Sequence, residues 1–374
     1  MAQILAVEIG GSQVRAAIVE DTEGPPDDGH IGGVGPQDTP IQHEVGIQRD
    51  ILELTPESLI EEVMQIADMV VRKAEGPQAG RVKVNIVGIG VAIAAEVDMS
   101  SRAIIPTYTK TWSRDEFYDP LLERLRQVYS TVTPNNVVIG NLSNMAAVGE
   151  LYHLMRDRQR SSRQIVYLLI GGGIGTGIII NGQPYIGAHG LAGEFGHNVV
   201  VPNGPECQDC GLKGCVAAMA SGDAILRKVI PAIEQGEGYR ILEDMQRRRD
   251  KPHTYDALGT RPFSHPGYRD IKRIDGRAVC AAAERGDPLA EDALKEAAYY
   301  VGQCMAQIIH ALNPDMLVLG GLAMRSNIMF QKAFLVSQQF TLPTAWQGLR
   351  IIQSQLGDHA AMIGVARRVS PGTP

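Results

Sequence analysis

The chain of 374 residues has few cysteines, few aromatic residues and no excess of positive charge. Five cysteines are an odd number, which argues against a disulfide-stapled secreted domain and predicts reduced thiols in a cytoplasmic protein. With a net charge of −7, the chain offers no field that would attract nucleic acid or an anionic membrane, so contact with either is not expected. No apolar run approaches the ~20 residues of a membrane helix, and the N-terminus lacks the pattern of a secretory signal.

Two stretches of the sequence have the same pattern: an apolar strand, a glycine turn and a second apolar strand. They are QILAVEIGGSQVRAAIVE (3–20) and QIVYLLIGGGIGTGIIING (164–182). Strand–turn–strand differs from the strand–turn–helix of dinucleotide-binding folds. The length favours two domains, and the recurrence predicts two related α/β lobes facing one another across a cleft, each with a phosphate-facing turn. The plainer alternative is that both turns merely join hairpins.

The remaining pattern is also α/β, with two loose polar stretches. Residues 21–40 form a polar loop, and residues 235–276 are polar, basic and broken by Pro and Gly. We interpret 235–276 as a solvated insertion, with a lid or an oligomer contact as the alternative. Periodicity predicts helices at 57–74 and 117–129, a buried strand within 82–94, a strand leading through a short polar turn into a helix at 135–154, and a late strand within 314–327.

Residues 193–215 (GEFGHNVVVPNGPECQDCGLKGC) gather three of the five cysteines beside a histidine. His197, Cys207, Cys210 and Cys215 provide one nitrogen and three sulfur ligands, a set that suits tetrahedral zinc without an open position. Such a closed site cannot activate water, so the zinc would be structural and would fix the loop. The alternatives are unligated thiols that cluster by chance and a Cys207–Cys210 redox pair, which lacks a thioredoxin-like strand–helix setting.

Taken together, these motifs resemble the ROK family of sugar kinases and sugar-responsive repressors, which have the actin/hexokinase-like fold. EIGGSQVR and GGGIGTG resemble its two phosphate motifs, LGGLAMRSN its adenosine-side loop and LGDHAAMIGVA its C-terminal helix. GEFGH with the following cysteines resembles its zinc signature, here one residue longer. Because the chain starts directly in the first strand, we expect no N-terminal DNA-binding module. The resemblance implies two RNase H-like lobes flanking a cleft: residues 1–139 with 352–374, and residues 140–351 with the zinc loop 193–215 and the insertion 235–276.

The resemblance also implies which residues bind ligands. Asn141, Glu194 and His197 match positions that contact a sugar, so a small sugar-like ligand is expected. With one ring nitrogen on zinc, His197 would present the other as a defined donor. The family implies a homo-oligomer, a dimer or a tetramer. The positions that match nucleotide-binding glycines and their neighbours are Gly10, Gly11, Ser12, Gly173, Gly175, Gly320 and Gly321.

Several positions depart from the family pattern where the chemistry should be. The family's catalytic Asp lies in an Asn-Asp-Ala-Asn turn, and Leu142 stands in its place. Loss of such a general base lowers a rate by about 10²–10⁴. Ala217 replaces an acid after the last zinc cysteine, and Glu8 replaces the Asp of the first phosphate motif. The second motif has Gly172 for Thr and Thr176 for Gly.

These departures predict an eroded kinase site on a retained fold, and hence a non-catalytic or very weakly active relative that binds a sugar or a nucleotide. Binding of ATP and Mg²⁺ is implied by the resemblance, and the altered loops predict that it is weak. The alternative is an active ATP-dependent hexose or N-acylhexosamine kinase with a relocated base. Asp98, Glu150 and Glu194 are the acids that could replace it, and Glu194 is favoured because its motif lies beside the sugar.

Overall fold

The chain folds into two compact units, each built from segments that are not contiguous in the sequence. The computed structural model describes residues 2–11, 13–21, 41–48, 54–76, 84–98, 101–107, 110–155, 164–243 and 276–369. The first unit comprises Met1–Arg163, Gly177–Ala192 and Gln355–Pro374, and the second comprises Gln164–Thr176 and Gly193–Ser354. Among the described residues, no helix is long and apolar enough to cross a membrane.

The first sheet has five strands in the order β3 (Ile41–Gln48), β2 (Gln13–Asp21), β1 (Ala2–Ile9), β4 (Ile86–Ile93) and β8 (Val137–Asn141). Strands β1, β2 and β3 are antiparallel neighbours, whereas β4 and β8 run parallel to β1. In this register Ile9 is opposite Ile93, which is opposite Asn141, so the carboxyl ends of three parallel strands lie at one edge. Numbered along the chain, the other strands of the first unit's two sheets are β5 (Glu96–Val97), β6 (Ile104–Thr107) and β7 (Lys110–Trp112).

Local sequence explains the long helix of the first unit, α1 (Pro56–Glu75). The Thr55 hydroxyl accepts a hydrogen bond from the backbone N–H of Ser58, and Pro56 opens the helix without losing a needed donor. Its buried face is apolar at helical spacing, which confirms the helix predicted at 57–74. The other helices of this unit are α2 (Tyr118–Val128), which confirms the helix predicted at 117–129, α3 (Leu142–Met155) and the C-terminal α10 (Ala360–Arg368).

Helices α3 and α10 pack with their backbones in contact. A Cβ on Gly364 of α10 would lie 1.7 Å from the carbonyl oxygen of Met145 in α3, so only glycine permits this approach. The fully buried Glu150 accepts a hydrogen bond from the backbone N–H of Leu356 through Oε1 at 3.2 Å. The C-terminal segment is therefore an integral part of the first unit.

The second sheet repeats the topology of the first. Its strands lie in the order β11 (Gln183–Pro184), β10 (Ile174–Ile180), β9 (Ile165–Ile170), β12 (Met316–Gly320) and β13 (Arg350–Gln353). When the strands of each sheet are numbered from one along the chain, both sheets have the order 3-2-1-4-5. β9, β12 and β13 are mutually parallel. The repeat predicted from the two glycine hairpins is thus confirmed in strand order.

The second unit covers its sheet with helices around α7 (Pro288–Leu312), whose buried face is rich in alanine. Asp287 caps α7 by accepting from the backbone N–H of Ala290 at 3.1 Å, and Asn313 ends it in a left-handed conformation with φ of 40°. The other helices described in this unit are α4 (Val216–Ala220), α5 (Gly222–Glu234), α6 (Gly276–Glu284), α8 (Asn327–Phe340) and α9 (Pro343–Trp346).

The two units differ from the lobes predicted above in three places. Residues up to Arg163, including helix α3, and residues Gly177–Ala192, with β11 and most of β10, group with the first unit, although the predicted second lobe covers 140–351. The C-terminal segment of the first unit begins at Gln355 rather than at residue 352. The lobe limits themselves stay a prediction. Most of the polar loop 21–40 and residues 244–275 of the insertion lie outside the described residues.

Candidate functional site

The four predicted metal ligands come together in the second unit. Nδ1 of His197 lies 4.0 Å from Sγ of Cys207 and 3.9 Å from Sγ of Cys215. With Cys210 included, all four ligand atoms lie within 4.8 Å of one another. A tetrahedral zinc ion requires ligand separations of about 3.5–3.8 Å, so a small contraction around the ion completes the site. The donor set and its geometry fit structural zinc.

The loop that carries these ligands is a tight knuckle. The backbone N–H of Cys207 donates to the carbonyl of Leu212 at 2.8 Å, and that of Gly211 donates to the carbonyl of Cys207 at 2.9 Å. Two isolated β-bridges, Val199–Cys215 and Glu206–Lys213, close the loop further. These contacts pair backbone groups that would otherwise be unsatisfied, so the knuckle positions its sulfur atoms from within the loop.

The electrostatics of the cluster call for a cation. A hydrogen bond with Cys215 lowers the pKa of Cys207 to about 3, although burial opposes the shift. The same contact and burial raise the pKa of Cys215. A hydrogen bond with Cys207 also raises the pKa of His197. One thiolate therefore suppresses ionisation of its neighbour, and a divalent cation would reverse this by stabilising three thiolates.

Glu194 and His197 share one short 3₁₀ turn (Glu194–His197), which presents them side by side. Nε2 of His197 lies 3.7 Å from Oε2 of Glu194, and the two side chains are 20% and 39% exposed. Because Nδ1 faces the sulfur atoms, Nε2 is the nitrogen that can present a proton to a ligand. The turn thus combines a defined donor with an accessible carboxylate.

Asn141 and Leu142 lie at the carboxyl edge of the first sheet, where β8 passes directly into α3 without the short polar turn that the sequence predicted. Oδ1 of Asn141 accepts from the backbone N–H groups of Ser143 (2.9 Å) and Asn144 (3.2 Å), and Nδ2 donates to the carbonyl of Ala95 (3.0 Å). Asn141 is therefore the cap of α3, with one amide hydrogen left for a ligand. Leu142 is the half-buried first residue of the helix.

The first glycine turn lies at the same edge. Gly10 and Gly11 follow the last residue of β1, and the backbone N–H of Ala94 donates to the carbonyl of Ile9 at 2.7 Å. Ser12 lies outside the described residues. In sheets with parallel strands, ligands bind at the carboxyl ends of these strands. The first-unit residues predicted to contact ligands therefore share one edge.

A buried charge network backs the first glycine turn. Arg15, only 1% exposed, donates through Nη2 to Oε1 of Glu8 at 2.6 Å and through Nη1 to Oε1 of Glu44 at 3.1 Å. Nη2 also donates to the carbonyl of Asp358 at 2.6 Å, and His359 Nε2 lies 3.0 Å from Oε2 of Glu44. Burial raises the pKa of Glu8 despite the nearby guanidinium. Glu8 is thus engaged in a structural ion pair.

The second glycine turn, Gly171 to Gly173, lies against the start of α5. The backbone N–H of Gly222 donates to the carbonyl of Gly171 at 2.7 Å. Gly321, with φ of 91°, follows β12, and a Cβ on it would lie 2.1 Å from the carbonyl oxygen of Ile170, so glycine is required there. The structure thereby brings the turn and the Gly320–Gly321 loop together, whereas Gly175 lies inside β10.

An apolar pocket adjoins these glycines within the second unit. It encloses about 420 Å³, including the part that is open to solvent. The sequence does not predict its apolar wall, because Ile225, Cys280 and Leu294 come from three different helices and carry no shared motif. The pocket is lined by Ile170, Gly171, Gly172, Gly222, Ile225, Gly276, Cys280, Leu294, Leu322 and Ala323.

The acids considered as replacement bases differ in environment. Glu150 is fully buried and holds the backbone of Leu356, as described above. Asp98 accepts hydrogen bonds from the backbone and hydroxyl of Ser101 at 3.3 and 2.7 Å. Of the three acids, Glu194 is the one on the zinc loop, and its side chain is 39% exposed. Ala217, at the position of the family's second acid, is 2% exposed in α4.

Comparison with known proteins establishes the class. The ROK family model matches residues 4–370, and the chain belongs to the ROK family. The chain is 28% identical over 302 residues to a glucokinase of Halalkalibacterium halodurans (80% of each chain), and 25% identical over 368 residues to a glucokinase of Streptomyces coelicolor (98% and 97%).

A solved structure shows the same fold. It is a ROK family glucokinase from Streptomyces griseus in complex with glucose and AMPPNP, with a TM-score of 0.71 and 22% identity. The match covers 99% of this chain and 100% of that one. The predicted α/β, actin/hexokinase-like fold class is confirmed.

Proposed function

We propose that this protein is a sugar-binding ROK relative that transfers phosphoryl groups very weakly or not at all. The proposal rests on Leu142, the first residue of α3. The resemblance to the family implies a carboxylate at this position. A leucine side chain has no atom that accepts the proton of a sugar hydroxyl. Nearby in the fold, Glu8 is paired with Arg15 and Glu150 is buried against Leu356, so neither supplies the missing base.

The sugar contacts are assigned to Glu194, His197 and Asn141. The zinc ion would fix the tautomer of His197 and leave Nε2 to donate to a sugar hydroxyl, while Glu194 accepts. Asn141, in the first unit, retains one amide hydrogen that a sugar hydroxyl could accept. Glucose is the first sugar to test, because the Streptomyces griseus glucokinase was solved in complex with glucose.

Nucleotide binding is proposed to persist but to be weak. Backbone amides at Gly10, Gly11, Gly173 and Gly175 are the phosphate contacts expected from the sequence. Gly320 and Gly321 lead directly into Leu322 and Ala323, which line the apolar pocket, and such a pocket suits a flat ring. Mg²⁺ would have to be held without Glu8, which its ion pair with Arg15 restrains. A bound ATP would therefore lack one charge-neutralising partner.

An active kinase with Glu194 as its base is the second candidate. Glu194 is accessible and lies 3.7 Å from His197 Nε2, which favours this candidate over one that uses Glu150 or Asp98. The glucokinase relatives support it as well.

One experiment separates the two candidates. The zinc-loaded protein is screened by thermal shift with glucose and other hexoses, with and without ATP–Mg²⁺, and the same samples are assayed for phosphorylated sugar. We expect a sugar-dependent rise in melting temperature with little or no product. Rapid product formation that is lost in Glu194→Gln would overturn the proposal in favour of the active kinase. No shift with any sugar would overturn sugar binding itself.

The remaining expectations concern the assembly and its setting. We propose a homo-oligomer, a dimer or a tetramer, in the cytoplasm, without direct contact with nucleic acid. Light scattering coupled to size-exclusion chromatography measures the first. A monomer at micromolar concentration would contradict it.

A further inference from the structure

The second glycine turn has a carboxylate beside it. A Cβ placed on Gly173 would lie 3.1 Å from Oδ2 of Asp209, so the carboxylate is in van der Waals range of the turn. A Cβ on Gly172 would lie 3.7 Å from Oδ1 of Asp223, near the start of α5. The turn that is proposed to meet phosphate is therefore bordered by acidic oxygen atoms.

Asp209 is held in place by the metal knuckle. It lies between two zinc ligands, Cys207 and Cys210, in a loop closed by the hydrogen bonds Cys207 to Leu212 and Gly211 to Cys207. The side chain is half-buried, so it is not a long, solvated group that swings away freely. Asp209 thus places a carboxylate of the zinc loop against the glycine turn.

We infer that Asp209 is a specificity-determining residue that opposes phosphate at the turn formed by Gly171 to Gly173. The inference rests on the proposed function, because it assumes that this turn faces the phosphates of a nucleotide. Two negative groups at contact distance repel one another, and the repulsion is strong where water is partly excluded. A divalent cation on the phosphates would weaken the repulsion, so free ATP should be opposed more than ATP–Mg²⁺.

The test compares two variants of the zinc-loaded, full-length protein. Asp209→Asn removes the charge and keeps the shape. Glu206→Gln is the matched control, since Glu206 is an exposed acid in the same knuckle, and its removal changes the net charge equally. Calorimetry measures the Kd of ATP–Mg²⁺, of ATP without added Mg²⁺ and of adenosine, which has no phosphate.

We expect Asp209→Asn to bind ATP–Mg²⁺ about tenfold more tightly than the parent protein, equivalent to about 1.4 kcal/mol. The gain should be larger for ATP without added Mg²⁺ and absent for adenosine, and Glu206→Gln should change none of the three. Unchanged or weaker ATP binding in Asp209→Asn would overturn the inference. Equal gains for adenosine would also overturn it, because they would indicate repacking of the pocket, and equal gains in Glu206→Gln would indicate a net-charge effect.

The inference and the proposed function fail in different ways. If the proposed function is wrong, the hexose experiment shows fast phosphorylation or no sugar-dependent thermal shift. Failure of the inference appears only in the ratio of nucleotide Kd values between Asp209→Asn and Glu206→Gln. Zinc content of each variant is measured in parallel, since full occupancy shows that the knuckle is intact.

Discussion

The same strand order surrounds both glycine hairpins, but the groups next to the two turns are different in kind. Behind the first, Arg15 is buried between Glu8 and Glu44, so the turn rests on an ion network. Beside the second stand an apolar pocket and a metal knuckle that carries Asp209. A repeated topology therefore fixes where a turn lies, whereas the residues around the turn decide what it can bind.

Removing the metal should have the largest effect on stability. The effect should be confined to the residues around the second hairpin. Apparent binding free energies of about 10–16 kcal/mol in zinc-finger peptides set the upper limit of the loss. We expect zinc content near one per chain, and chelation or Cys210→Ser should lower the melting temperature more than any change below. Full thermal stability in chelator, with no zinc found by metal analysis, would refute the metal site. Cys280→Ser is a control, because its thiol lies outside the cluster and is only partly buried.

Breaking the ion network should give the next largest effect, confined to the first hairpin. Arg15→Met leaves Glu8 buried without its partner, which should lower the free energy of unfolding by about 3–5 kcal/mol. Urea denaturation measures it. Arg72→Met is the control, because its pair with Asp68 is exposed to solvent, and its loss should change stability far less.

An apolar replacement of Glu8 tests whether the unpaired carboxylate causes the loss of stability in Arg15→Met. If the Arg15→Met loss comes from a stranded carboxylate, adding Glu8→Leu should recover much of it. A double variant no more stable than Arg15→Met would show that the loss comes from packing of the arginine stem or from its contact with the Asp358 carbonyl.

Restoring a base should change chemistry rather than stability. Leu142→Asp puts a carboxylate at the first position of α3, where a negative charge is favoured by the helix dipole, and the site is not fully buried. Glucose phosphorylation should rise about tenfold, a partial recovery of the usual 10²–10⁴, because Ala217 and the altered phosphate loops remain. Leu142→Asn has the same size without a base and should gain nothing.

Two outcomes would contradict that expectation. Equal turnover in Leu142→Asp and the parent would show that the base is not what the site lacks. A fall in melting temperature in Leu142→Asp but not in Leu142→Asn would show that the side chain packs inward more than its half-burial suggests.

Acid sensitivity should give the smallest effect. Burial would raise the pKa of Glu44, but the hydrogen bond with His359 and the charge of Arg15 outweigh it, and the pKa lies below the ordinary 4.5. A lowered pKa means that this group stabilises the fold above about pH 4.5 and that the contribution is lost as the pH falls below that value. The stability difference between the parent and Glu44→Gln should therefore shrink between pH 6 and pH 3. A constant difference would contradict the assignment.

Much of the fold could be predicted because its signals are local. The hairpins at 3–20 and 164–182, the helix at 57–74 and the metal ligands all follow from spacing within short windows, where side-chain geometry depends on neighbours along the chain. The junction at Asn141 and Leu142 was predicted as a turn and is a direct strand-to-helix passage, because Asn141 caps α3 through its own side chain.

By itself, the sequence determined the kinds of chemistry on offer: soft ligands for one metal, glycine turns at two strand ends, and a leucine where the resemblance implies a base. Only the tertiary structure decided which groups are available. In the folded chain Glu8 is buried in an ion pair with Arg15, and Glu150 accepts a hydrogen bond from the backbone N–H of Leu356. The carboxylate of Asp209 lies against Gly173. The physical reason is that ionisation and accessibility depend on desolvation and on partners distant in sequence, which no local pattern records.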